Sequence, residues 1–324
     1  MIGARPAAYA DRPQFSPPSP ETVIDSRPGD RGALHAALTQ LAERDPFINL
    51  RQDDVRREIS VSLYGEVQKE VIEAALADDY GVAVTFRETT TICVERPVGA
   101  GEAVEFIGKE PNRFLATVGL RIDPAPTNCG VEFRLEVELG SMPPAFVTAV
   151  EQTVLETLRQ GLNGWKVCYC TVTMTHSGYW ARQSHAHGTF DASMSSTAGD
   201  FRRLTPLVLM SALQRAGTRV EEPIHRFELE IPSDTLGSAL AAMTHVRGVP
   251  LSTDMRESSY LVSGDIPAAQ VHNLQLMLPA LARGEGALVT NFDRYQQVRG
   301  STPNRSRTDH NPLNRREYLL NIAR

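Results

Sequence analysis

The chain has 324 residues, of which 41% are hydrophobic, 22% charged and 6% aromatic, and its formal net charge is −6. At about 100–200 residues per domain, that length predicts two or three domains, each large enough to bury a core. The acidic balance excludes a uniformly basic nucleic-acid binder but leaves room for a local basic patch.

Residues 1–20 carry Pro6, Pro13, Pro17, Pro18 and Pro20 with little apolar content, and read as an extended, weakly ordered linker. Folded pattern starts near Glu21. Thr22–Asp25 is strand-like, and Asp30 to Arg44 places Leu34, Leu38 and Leu41 at helical spacing ahead of Pro46. Ile48–Leu50 and Ile59–Leu63 are strand-like, Glu66 to Asp79 is a second helix, and Gly81–Phe86 closes as a strand. The order βαββαβ is the split-βαβ, ferredoxin-like plan.

The same order returns near the C-terminus. Arg226–Ile231 is a strand, and Ser233 is a good cap for a helix carrying Leu236, Leu240 and Met243. Val249–Met255 and Ser258–Ser263 are strands, Pro267 opens a helix at its first position, and Ala287–Phe292 is the last strand. Gly65-Glu66 and Gly264-Asp265 occupy equivalent places, so each glycine is expected at a tight strand-to-helix turn.

A different domain lies between the two copies. Ala103–Phe106, Ala116–Ile122, Val131–Leu139 and Val167–Met174 are strand-like. Pro143-Pro144 open a helix that Gly161 ends, and Pro206 to Ala216 is the final helix. Residues 176–200, with ten Ser, Thr or Gly in 25, read as a long polar loop, and such loops are usually functional or disordered.

The chemistry is mostly negative. Gly108-Lys109 imitates the end of a P-loop, but Ala103 replaces the first glycine and Glu110 the magnesium-binding hydroxyl. Cys168-Tyr169-Cys170 on a strand points two small thiols to one face as core residues, and the spacing is not a zinc knuckle. His176, His185 and His187 in the polar segment leave a metal-dependent enzyme as a minor alternative. No nucleophile, acid and base are linked by spacing, so no catalytic residue and no metal ligand is assigned. The four cysteines fit a reducing cytoplasm rather than a disulfide scaffold. No run approaches about 18 apolar residues, and Met1–Pro6 lacks the apolar stretch of a signal peptide. From Arg294 to Arg324 there are seven arginines and two acids, Asp309 and Glu317, a local charge of +5. Among Ser, Asn and Pro they suit a flexible strap that touches phosphate.

Several stretches together resemble one family. They are Leu63–Val71, Val94–Pro97, Gly161–Val167, Ser195–Leu204, Glu222-Pro223, Ser263–Ala268 and Arg315–Tyr318. In this order they resemble the last three domains of the tetracycline ribosomal protection proteins, paralogues of elongation factor G. The resemblance covers about residues 15 to 324. It implies an α+β fold in which two ferredoxin-like domains flank a ribosomal S5 domain 2-like α/β domain. The divisions are a linker at 1–20, domain III at 21–88, domain IV at 89–223, domain V at 224–300, and a basic tail with a C-terminal helix at 301–324. It implies that full-length relatives use GTP and magnesium, while this chain lacks the GTPase and barrel domains, needs no cofactor and is not an enzyme.

The expected partners are the bacterial ribosome and its RNA in the cytoplasm, with no DNA and no membrane, and a separately encoded GTPase half is left open. Three loops at the domain IV tip are implied to touch ribosomal RNA near the tetracycline site. They hold Pro111, Asn112 and Arg113; Thr127 and Asn128; and Arg182 with Ser195, Ser196 and Thr197. The tail adds Arg299, Arg305, Arg307, Arg315 and Arg316. The third loop departs from the family: Met194 and Ala198 stand where stiffening prolines are expected, and Tyr179 to Asp191 looks inserted. The context is therefore drug release or assistance to translocation, with a non-functional gene fragment as the rival. Residues 176–200 are expected to project beside the Arg113 and Thr127-Asn128 loops.

Overall fold

The computed structural model describes residues 21–27, 29–45, 48–53, 58–62, 66–86, 91–127, 129–138, 140, 142–181 and 195–322. They divide into two units. One joins the chain up to Ile92 with Glu222–Gln296; the other joins Cys93–Glu221 with Gln297–Arg324.

The first unit begins with β1 (Glu21–Ser26), α1 (Arg31–Arg44), β2 (Asn49–Asp53), β3 (Glu58–Ser62), α2 (Glu66–Asp78) and β4 (Val84–Phe86). The sheet order β2-β3-β1-β4, antiparallel throughout, is the predicted split-βαβ plan. The helical spacing works as expected: α1 buries Leu34, Ala37 and Leu38, and α2 buries Ile72 and Leu76, against Ile59 and Val61. β4 starts three residues later than the pattern suggests. Gly81, at φ +65, first turns the chain out of α2.

The second unit contains β5 (Val94–Pro97), β6 (Gly101–Glu105), β7 (Ala116–Pro124), β8 (Val131–Leu135), α3 (Pro144–Thr157), β9 (Lys166–Val167), β10 (Cys170–Tyr179) and α4 (Ala198–Ala216). Its main sheet runs β6-β7-β10-β8, with β8 parallel to β10 and the other pairs antiparallel. α3 supplies the crossover that a parallel pair needs. Both helices pack on a core that includes Leu120, Ile122, Val172, Met174, Phe201 and Leu204. β6 lies so close to α4 that a Cβ on Gly101 would stand 2.2 Å from the Ala212 carbonyl oxygen.

Two local expectations change here. The strand predicted across 167–174 breaks at Tyr169, which takes φ +58. Cys168 and Cys170 remain buried, and burial pushes their thiols up to about 11 and about 12. The last helix starts at Ala198, eight residues before Pro206. A reciprocal capping box, Thr197 with Asp200, satisfies its first turn and outweighs the proline at an interior position.

β11 (Thr218–Pro232) pairs antiparallel with β5 through Thr218–Glu221 in the second unit. In the first unit, Ile224–Pro232 pair with β13 (Ser259–Pro267), within a set completed by α5 (Leu236–His245), β12 (Val249–Arg256), α6 (Ala268–Leu281) and β14 (Ala287–Gln297). The order β12-β13-β11, with β14 on the far side of β11, repeats the plan of β1–β4. Ser233 opens a short 3₁₀ turn without a side-chain cap, and Pro267 precedes the first residue of α6. Gly264 is not at a turn. It sits inside β13, where a Cβ would meet the Val249 carbonyl oxygen at 2.3 Å and the Phe227 ring at 2.8 Å. Close packing, not turn geometry, requires it. Gly65 lies outside the described residues.

The tail keeps the expected C-terminal helix but otherwise departs most from expectation. Residues 297–322 belong to the unit of Cys93–Glu221 and end in α7 (Arg315–Ile322). They do not form a separate flexible strap.

Candidate nucleic-acid interface

Strand register fixes which loops share an end of the middle sheet. β7 and β10 run antiparallel from Ala116↔Tyr179 to Pro124↔Cys170. The β6–β7 loop, 106–115, therefore meets the exit of β10 at Tyr179. The β7–β8 loop, 125–130, lies at the other end, where Ala125 N–H donates to the Tyr169 carbonyl and Cys170 N–H to that of Gly130. This corrects the expected grouping. Thr127 is exposed but stands at the end opposite Arg113. Asn128 and Arg182 lie outside the described residues.

A third connection replaces it. β8 runs parallel to β10, so its C-terminal end points the same way as that of β10. The β8–α3 connection, 136–143, leads to the first turn of α3, where Phe146 stacks on Phe201 with centroids 4.7 Å apart and meets the Tyr179 ring edge-on at 5.7 Å. Local patterning could not reveal this, because the parallel pairing joins segments some 40 residues apart.

The two neighbouring loops are pinned together. Trp180 N–H donates to Ser196 Oγ at 2.8 Å, and Ser196 N–H returns to the Trp180 carbonyl at 3.1 Å. Ser196 Oγ also donates to the Leu115 carbonyl, and Leu115 N–H reaches Asp200 Oδ1 at 3.3 Å. Ser195 is buried, and Thr197 caps α4. Of these three residues, all expected to touch RNA, Ser196 forms the seam that ties Trp180 and Leu115 together. The polar segment expected at 176–200 also starts later, because His176–Tyr179 belong to β10. His185 and His187 lie outside the described residues.

The first loop is built rather than loose. Asn112 is buried: its side-chain amide donates to the Ala116 carbonyl at 2.7 Å and its Oδ1 accepts Phe114 N–H at 2.8 Å. Ile107 N–H donates to Thr117 Oγ1 at 2.9 Å. Asn112 thus shapes the loop and leaves Lys109, Pro111 and Arg113 exposed. Lys109 lies 4.8 Å from the Phe106 ring centroid, and Trp180 beside Gly108 is 46% exposed. Cations beside exposed aromatic faces are suited to phosphate and nucleobase contact.

Three of the five tail arginines have internal roles. Arg305 lies over the Trp165 ring at 5.7 Å. Arg307 grips Asp309 with Nε and Nη2 and donates Nη1 to the carbonyls of Gln160 and Gly161, both at 2.6 Å. Arg315 forms a forked pair with Glu105 at 2.6 and 3.0 Å. Only Arg299 and Arg316 among the five are exposed.

Two family models match in chain order: elongation factor G, domain IV, over residues 83–217, and elongation factor G C-terminus, over 219–306. The oxytetracycline resistance protein of Streptomyces rimosus is 42% identical over all of this chain and 48% of its own length. The tetracycline resistance protein TetM of Streptomyces lividans is 40% identical over 88% of this chain and 43% of its own length. TetP of Clostridium perfringens is 35% identical over 89% and 42%. A crystal structure from Thermus thermophilus shares the fold, with a TM-score of 0.64 and 21% identity over all of this chain and 46% of that one. This chain spans about half the length of the curated relatives it matches. No described helix is long and apolar enough to cross a membrane. The chain belongs to the elongation factor G-like family of tetracycline resistance proteins, and corresponds to their C-terminal half.

Proposed function

We propose that this chain binds the bacterial ribosome and presents the end of its middle domain to small-subunit RNA, where it assists release of tetracycline. The observation that carries this reading is the pinned pair of loops. Ser196 locks the third loop to the first, and the exposed Lys109, Arg113 and Trp180 stand at that same end. The kinship with proteins named for tetracycline resistance supplies the drug context. Binding here is passive, and no cofactor takes part.

Co-sedimentation with bacterial ribosomes tests the reading. Pelleting is expected at low salt and should fall as salt rises, because neutralising phosphates releases counterions. Bound tetracycline should leave the pellet as the protein saturates. Pelleting that is absent at low salt, or present without any effect on the drug, would count against ribosome binding or drug release respectively.

A further inference from the structure

The tail runs along the middle domain from its base to the first loop. At the base, Trp165 Nε1 donates to the Pro303 carbonyl at 2.8 Å and Arg305 N–H to the Asn163 carbonyl at 2.9 Å. Farther on, Leu313 packs on the main core, and the Tyr318 hydroxyl donates to the Arg203 carbonyl of α4 at 2.9 Å. At the loop, Arg315 holds Glu105 through both guanidinium nitrogens and reaches the Pro111 carbonyl at 2.8 Å. Glu105 ends β6, so one side chain spans the loop from its root to Pro111.

Arg315 is poorly placed to neutralise phosphate. Its side chain is 30% exposed, and its terminal nitrogens are already engaged. Turning it outward would strand the Glu105 carboxylate, which is only 12% exposed. Arg316, next to it, is exposed and carries the same charge.

We propose that Arg315 is a positioning residue: through Glu105 and the Pro111 carbonyl, the C-terminal helix sets the shape of the loop that meets RNA. The role in RNA contact rests on the ribosome-binding reading above; the mechanical link does not.

The test compares R315A, E105Q and R316A in the full chain by amide hydrogen exchange and by ribosome titration across salt. Lys109 and Asn112 amides close the loop's internal turns, donating to Phe106 and Lys109 carbonyls. Both should exchange at least about fivefold faster in R315A and E105Q and unchanged in R316A. Ribosome affinity should fall about tenfold in R315A, the scale of lost charge-assisted bonds, with the salt slope unchanged. E105Q is the decisive variant. It removes a negative charge near the RNA, so a purely electrostatic tail predicts tighter binding, whereas a positioning clamp predicts weaker binding. Should R315A fail to fold, E105Q carries the comparison alone, since it retains the Arg315–Pro111 bond.

The proposal is overturned by unchanged loop exchange in E105Q. It is equally overturned by R315A and R316A lowering the salt slope alike, by about 1 each. If the unaltered protein does not bind ribosomes, the functional reading fails, and exchange in E105Q and R315A still decides the clamp.

Discussion

The Glu95 carboxylate accepts the backbone N–H of Asn163 at 2.7 Å, across 68 residues of sequence. It also takes the N–H groups of Leu162 and Trp165 and the Thr218 hydroxyl, and Glu95 itself is fully buried. The segments Val94–Pro97 and Gly161–Val167, far apart in the chain, are one structural device. The carboxylate fills the turn so closely that a Cβ on Gly161 would stand 2.6 Å from it.

Removing that carboxylate leaves several buried donors unpaired. Glu95→Ala should therefore cost at least about 3 kcal/mol, since each unsatisfied buried donor costs about 1–3 kcal/mol. Urea unfolding of the two proteins measures it, and a cost below about 1 kcal/mol would mean that the turn holds itself.

The same turn receives the tail. Gly164 has φ +79, and a Cβ there would lie 1.8 Å from the Arg305 carbonyl oxygen. Gly164→Ala should displace the tail at its base, with a further backbone cost of about 1 kcal/mol. Trypsin should then cut after Arg305 and Arg307 faster than in the intact protein, where the Arg307 side chain is only 8% exposed. Equal trypsin resistance in both proteins would show that the tail is held without this turn.

Alkali should weaken the middle domain. Burial raises the Cys168 and Cys170 thiols from an ordinary 9.0 to about 11 and about 12, and the Tyr318 phenol from 10.0 to about 12. The folded state keeps these protons while the unfolded state releases them, so stability is full below about pH 9 and falls as pH rises toward 12. Urea midpoints at pH 8, 10 and 11 should decline in that order, and Tyr318→Phe should remove part of the decline. A flat profile would contradict the assigned burial.

Periodicity made the helices and most strands legible, because apolar spacing at Leu34–Leu38 or Ile72–Leu76 is a local property. It also exposed the repeated split-βαβ plan. Four matters stayed hidden for one physical reason: their determinants are partners distant in sequence. Arg307 and Arg315 looked like solvated phosphate contacts because their acceptors include Gly161, 146 residues away, and Glu105, 210 residues away. Ser196 looked like a surface residue because its acceptor is Leu115, 81 residues away. The β7–β8 loop, which the resemblance implies lies at the tip, sits at the opposite end because strand direction in a mixed sheet is set by pairing between distant segments. At Gly264 a glycine beside an acid suggests a turn, whereas the Phe227 ring leaves no room for any other side chain.

Nucleotide offers a separate check. Gly108 and Lys109 sit in the first loop between antiparallel strands, not between a strand and a helix, so no phosphate cradle forms around them. Equilibrium dialysis with GTP should show no saturable binding to this chain, and a stoichiometric site would overturn that expectation.

Tethered iron cleavage tests directly which end of the middle domain meets RNA in the proposed ribosome complex. Cys93, Cys168 and Cys170 are buried and Cys129 is exposed, so the unaltered protein carries an iron chelate at the β7–β8 end. A C129S/K109C variant carries it on the first loop, at the opposite end of the sheet. With bacterial ribosomes, the chelate at position 109 should cleave small-subunit RNA strongly and the chelate at Cys129 much less. Stronger cleavage from Cys129, or none from position 109 while the protein still pellets with ribosomes, would contradict the assignment of the interface.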